Sequence, residues 1–341
     1  MGRISLRFIL RRLLAAVPVL AGVVVFTFVL TRLLPADPVA FLATGPAMGP
    51  EEVEALRRQL GLDRSILAQL GIYVRDLATG NLGRSMMTGQ PVTSDLALRL
   101  PASLELTIAG FVMALVVALP LGILAATRPD SLIDHLTRLI ATVGVSMPTF
   151  VTGLLLIFLF YFLLGWAPDP TSRHDLFLPT SPRVTGFLTV DTALDGNWEQ
   201  FRAVCGRLML PAATMALFAI APLARMTRAS MMAALQGDFV RTARAMGLSP
   251  AKVLLTYALR NAMIPVVTMM GMVLSFMLGA NVLVEKVFAW PGIGSYALDA
   301  LVASDYAPVQ GFVLVVATIF VLLNLVVDLI YAVIDPRVGF E

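Results

Sequence analysis

The chain has 341 residues, of which 58% are hydrophobic and 14% charged, with a formal net charge of +3. Soluble domains carry about a quarter charged residues, so this balance excludes a water-soluble globule and requires a polytopic membrane protein. The basic residues gather between apolar runs, which does not fit a nucleic-acid binder, and the single cysteine, Cys205, excludes an intrachain disulfide.

Met1 to Arg12 carries Arg3, Arg7, Arg11 and Arg12 and no acid, and an apolar run follows over about 13–30. A signal peptide's apolar core spans about 7–15 residues and closes on a small-x-small site. This run is longer and leads into Thr31-Arg32-Leu33-Leu34-Pro35. Residues 1–34 are therefore expected to be a cytoplasmic N-terminus and a retained first transmembrane helix. Residues 35–101 are polar with balanced charge, and an extracytoplasmic helical subdomain is expected there. Within it, Pro50 to Gly61 places acids in the first turn, arginines in the last and glycine after them, matching the helix dipole. A second helix is expected from Asp63 through Leu77.

Residues 102–341 should form the membrane core. Spans are expected at about 104–127, kinked at Pro120, at 139–164, at 208–224, at 262–284 and at 309–334. The fourth is short and holds Pro211 and Pro222, so tilted or broken geometry is expected. The loop at 165–207 faces outward; its His174 reads as a solvated loop histidine, with no second ligand at metal-site spacing. Six spans put both termini inside, in agreement with the basic character of the loop after the fourth.

That loop, about 226–262, has Arg225, Arg228, Arg241, Arg244, Lys252 and Arg260 in or beside it, against one acid, Asp238. Gly237 can end one helix in the left-handed conformation, Asp238 can cap the next, and Gly247 can stop it. Ser249-Pro250 starts a third helix. The short helix, Phe239 to Met246, would carry Phe239, Ala243 and Met246 on one side and Arg241 and Arg244 toward another. A short basic helix held at the cytoplasmic end of a bundle is suited to docking another protein.

Between the last two spans, Glu285 to Tyr296 contains Trp290, Pro291, Gly292 and Gly294 and is expected to turn tightly, with the aromatics at a membrane interface. Asn281 and Glu285 share a helix face, as do Asn324 and Asp328. Polar groups inside spans usually face the bundle or a cavity, which makes these four candidates for a pathway, a subunit seam or a helix–helix hydrogen bond. Glu105, at a span entrance, reads as interfacial. No G-x-x-x-x-G-K-[ST] is present, and neither lysine, Lys252 or Lys286, follows a glycine-rich loop. No HExxH, paired-cysteine or Ser/His/Asp set appears, so the chain is expected to be non-catalytic, with energy arriving through another chain.

The string VRTARAMGLSPAKVLLTYALRNAMIPVVT resembles the cytoplasmic loop of ABC-importer permeases of the dipeptide/oligopeptide branch, and is most similar to a dipeptide permease subunit. The strings LPADPV, LGLD and GNLGRS, then GFLTVDTAL, then EKVFAWPGIG, are similar to the same branch. The resemblance implies an all-α, six-helix, type I permease fold in a bacterial inner membrane. It implies ATPase coupling through Asp238, Phe239, Arg241, Thr242, Ala243, Arg244, Ala245, Met246 and Gly247, with Met246 standing where the branch usually has lysine. It places Trp290, Pro291, Gly292 and Gly294 at an outer gate. The implied partners are a second homologous permease, two ABC ATPases that hold the ATP and magnesium, an extracytoplasmic binding protein and membrane lipid; no cofactor is expected on this chain. Oligopeptides, nickel, glutathione, haem or antimicrobial peptides remain open as cargo. An ATP-independent secondary transporter or channel would need ion-coupling carboxylates or repeated halves, and an intramembrane enzyme would need a catalytic set.

Overall fold

The protein is seen here as a computed structural model that describes residues 6–33, 63–174 and 178–334, with isolated positions between 51 and 58. The helix expected at 50–61 lies outside the described residues apart from those positions. The regular elements described are helices. They are α1 (Leu6–Leu33), α2 (Ile66–Ala78), α3 (Val92–Thr127), α4 (Leu132–Ser146), α5 (Thr149–Leu156, continued as π-helix over Ile157–Leu163) and α6 (Leu188–Leu194). There follow α7 (Trp198–Leu235), α8 (Asp238–Ala245), α9 (Pro250–Val287, with a π-helical stretch at Val253–Ala258), α10 (Ile293–Val302) and α11 (Tyr306–Ile334).

Five of these helices, α1, α3, α7, α9 and α11, are long and apolar enough to cross a membrane. The third expected span corresponds to two helices, α4 and α5, rather than one. The break falls at Met147-Pro148, where Met147 is extended (φ −106°, ψ 134°), because the proline ring disfavours the helical region for the residue before it. The second span begins at Val92 rather than near Leu104, so the expected boundary at 101/102 falls inside a continuous helix.

The fourth span departs furthest from expectation. It is one unbroken helix of 38 residues that runs through both prolines, about 57 Å long at ~1.5 Å per residue, against a hydrocarbon core of about 30 Å. Its small residues explain its central place. Ala212, Ala216, Ala219, Ala221 and Ala224 are buried, and α3 meets them with glycine. A Cβ on Gly110 would stand 2.7 Å from Met215 Cβ, and one on Gly122 would stand 2.6 Å from Thr227 Cβ and 2.8 Å from the Ala224 carbonyl oxygen. Helices in lipid gain by such close approach, since burial of apolar surface distinguishes little between lipid and protein.

Around the α3–α7–α9 core, α11 packs on α9 and α1 packs on α11. Arg12 pairs with Asp328 at 3.1 Å and Gln310 donates to Thr31 Oγ1 at 2.7 Å, so α1 and α11 run antiparallel. α2, capped by Ser65, leans on α1 through the stacked rings of Tyr73 and Phe28.

Candidate functional site

Two ends of the bundle hold the residues singled out in the sequence. At one end stands α8. Gly237 is its N-cap, with φ −68° and ψ 148°. It is therefore extended rather than left-handed, and Asp238 is the first helical residue rather than the cap. With glycine at 237 the exposed Phe239 ring lies close over the helix start, where a Cβ would meet it at 2.5 Å and make it turn aside. The other end of α8 follows the sequence reading. Gly247 is left-handed (φ +74°), its N–H donates to the Arg244 carbonyl at 2.9 Å, and the Leu248 N–H donates to the Ala243 carbonyl at 3.3 Å. This is a Schellman closure, and Leu248 packs against the apolar cluster beneath. Ser249 and Pro250 occupy the N-cap and first position of α9, although the serine hydroxyl caps no N–H.

The buried side of α8 is Val240 and Ala243, both at 0% exposure. They join Ala126 of α3, Met231 and Ala234 of α7, and Val253, Ala258 and Ala262 of α9 in one cluster. The expected grouping of Phe239, Ala243 and Met246 is thus corrected: Val240 and Ala243, three apart, point inward, while Phe239 (39%) and Met246 (64%) are exposed. Asp238, Arg241, Thr242, Arg244 and Ala245 are exposed with them. An Arg241–Asp238 pair at 3.5 Å is solvated on both sides and contributes little. The free face of α8 is consequently two large apolar side chains flanked by two arginines, on a small-residue base anchored to three helix ends.

At the other end, the turn after α9 folds back on α3. Glu285 is fully buried. Its carboxylate accepts from Ser103 Oγ (2.5 Å), Asn281 Nδ2 (2.9 Å) and Ser295 N (2.8 Å). Asn281 Nδ2 also reaches the Ser103 carbonyl and Thr107 Oγ1, each at 3.2 Å, and Ser103 Oγ accepts from Ile293 N at 2.8 Å. Gly292 is required here, since a Cβ on it would lie 2.2 Å from the Glu285 carboxyl carbon. Trp290 is buried, not interfacial, and its Nε1 donates to the Ala102 carbonyl at 2.9 Å. Pro291 remains exposed. Tyr296 is buried as well; its hydroxyl donates to Asp95 at 2.9 Å, and burial, with the neighbouring Asp95 carboxylate, pushes its pKa up to about 12.

The same patch of α3 receives the segment between α5 and α7. Glu105, expected at an interface, is buried and ion-paired with Arg173. Its other oxygen accepts from Thr189 N (2.7 Å) and Thr189 Oγ1 (2.6 Å). Arg173 lies over the Trp290 ring at 5.5 Å and donates to the Gly186 carbonyl at 3.1 Å. His174 is partly buried rather than solvated, and its pKa is lowered by burial and then by Arg173 and Arg207. Asp305 gathers Ser85 Oγ (2.7 Å), Met86 N (2.6 Å) and Met87 N (3.1 Å), which fastens the residues before α3 to the start of α11. Ser103, Glu105, Arg173 and Asp305 were not singled out as parts of one assembly, because their partners lie between 68 and 220 residues away in sequence.

The two carboxylate–amide pairs separate. Asn281 and Glu285 belong to the buried network. Asp328 is held by Arg12, and exposed Asn324 lines, with Arg12, Leu13, Phe320 and Asp328, a shallow cavity of about 220 Å³ between α1 and α11.

The long apolar helices thus form a membrane bundle with a short basic helix at one end and a buried polar network of loops at the other. The chain belongs to the family described as binding-protein-dependent transport system inner membrane component, which matches residues 118–340, and its N-terminal counterpart matches residues 5–107. It is 44% identical to the probable D,D-dipeptide transport system permease of Escherichia coli K12, over 94% of each chain. It is 43% identical to the di/tripeptide transport system permease of Pseudomonas aeruginosa, over 98% of this chain and 99% of that one. It is 40% identical to the dipeptide transport system permease of E. coli K12, over 98% of each. The protein is therefore a multi-pass inner-membrane, non-catalytic subunit of an ABC importer, working with an ATPase and a substrate-binding protein.

Proposed function

We propose that this chain forms half of the membrane pathway of an importer for dipeptides and other short peptides, completed by a second homologous permease. Two ATPase subunits dock on the cytoplasmic side of the permease pair, one of them on the exposed face of α8, and ATP and magnesium are held by them alone. The peptide specificity rests on the relatives named above. The docking assignment rests on one observation: α8 buries Val240 and Ala243 against α3, α7 and α9 while presenting Phe239, Arg241, Arg244 and Met246 outward. A helix that grips three span ends and offers a basic-apolar face converts a push on that face into a rigid tilt of the spans. In this reading α8 and both termini are cytoplasmic. The described residues before α3 (63–91) and between α5 and α7, with the turn at Trp290, Pro291, Gly292 and Gly294, form the outer mouth that receives the binding protein, with Asn281 and Glu285 beneath it as its clasp.

Co-expression with the partner permease and ATPases should yield a complex that Arg244→Glu or Gly247→Asp weakens. Uptake of labelled dipeptides into proteoliposomes should require the matched binding protein and ATP. Retention of both assembly and uptake in those variants would refute the docking assignment. Failure to take up any di- or tripeptide, with another cargo transported, would refute the substrate.

A further inference from the structure

Near α8 lies a fully buried carboxylate that the reading above does not use. Asp134, in the first turn of α4, is at 0% exposure. Arg228 of α7 holds it with a two-pronged contact, Nε to Oδ1 at 2.5 Å and Nη2 to Oδ2 at 2.8 Å. The Asp130 N–H (3.0 Å) and Arg138 Nη2 (3.2 Å) complete its shell. An ion removed from water costs several kcal/mol, offset only by good geometry and satisfied partners, and this one has both. Its position bears on transmission. The apolar cluster that seats α8 draws on α3, α7 and α9 but contains no residue of α4. α4 is joined to α3 by a short turn that passes through left-handed Asp130, and at its far end it breaks before α5. Arg228 stands three residues before Met231 of that cluster, one helical turn away.

We infer that the Asp134–Arg228 pair is a positioning clamp that makes α4, and through it α5, move with the α7–α8 unit during transport. The inference rests on α8 being the ATPase dock. The guanidinium fork constrains direction as well as distance, which a point charge would not, so a tilt of α7 carries the start of α4 with it instead of sliding past.

The test uses the complete complex, with ATPases and binding protein, in proteoliposomes, measuring substrate taken up per ATP hydrolysed. Asp134→Asn and the milder Arg228→Lys should assemble and hydrolyse ATP, yet lower that ratio by about tenfold, a size typical of coupling through packed networks. An unchanged ratio in Arg228→Lys and Asp134→Asn would overturn the clamp. So would a parallel fall in assembly, hydrolysis and uptake at constant ratio, which marks a merely structural contact. Arg244→Glu run alongside separates the two readings: if it leaves ATPase binding intact, the dock is misassigned, whatever the clamp variants do.

Discussion

The two ends of this bundle are built from different chemistry. Around α8 the contacts are alanine, valine and methionine against alanine and valine, with one clamped ion pair beside them. Around the turn after α9 the contacts are buried carboxylates, hydroxyls and backbone N–H groups in specific hydrogen bonds, with Asn281 Oδ1 and Arg173 Nε left without a partner among the described residues. Apolar close packing is tolerant of direction and transmits a push as rigid-body motion. A buried hydrogen-bond network is directional, and a half-broken one is costly, so it favours discrete closed and open arrangements. In the proposed reading the first end receives force and the second holds a gate.

The contrast is sharpened first at Glu285. Glu285→Ala strands the buried Ser103 hydroxyl and the part-buried Ser295 N–H, at about 1–3 kcal/mol for each donor left unmet, while Asn281 Nδ2 keeps the Ser103 carbonyl and Thr107 Oγ1. Yield and thermal midpoint in detergent should both fall sharply, and a midpoint near wild type would show that the network is not structural. Next comes the seam joining the two ends. Gly122→Ala drives a Cβ into Thr227 and the Ala224 carbonyl, with an expected loss of about 1–3 kcal/mol from overpacking, read by the same thermal scan.

A smaller effect is expected from pH at the α8 end. The hydrogen bond from Arg228 holds the Asp134 carboxyl at about 2, below its ordinary 3.8, with Asp130 N–H and Arg138 assisting. A depressed carboxyl lends stability above its unfolded-state pKa and loses it as pH falls toward the folded one. The thermal midpoint should therefore hold above about pH 4 and fall between about 4 and 2, more steeply in the wild type than in Asp134→Asn. Parallel curves for the two proteins would contradict the pairing.

Much of this was legible in the sequence where it depended on local chemistry. Hydropathy located the long spans, and glycine at 247 and Ser249-Pro250 placed the end of α8 and the start of α9. The misreadings share a cause in tertiary contact. Pro211 and Pro222 do not shorten α7, because α3 and α9 pack along it. Phe239 and Met246 are outward, because neighbouring helix ends, not helical spacing alone, decide which side of α8 is covered. Glu105 looked interfacial and Trp290 looked membrane-facing, since their partners, Arg173 and the Ala102 carbonyl, are remote in sequence. Arg228 stood out only as one of the basic residues around the loop, since its partner Asp134 lies 94 residues away.

The central claim is that α8 receives the motor, and the exposed Arg244 tests it most directly. Arg244 is exposed, so Arg244→Glu should leave the permease folded, with a thermal midpoint close to the wild type's. Its affinity for the partner ATPases, measured on the detergent-solubilised complex, should fall by at least about tenfold, the equivalent of ~1.4 kcal/mol. Undiminished ATPase binding by a correctly folded Arg244→Glu permease would contradict the account.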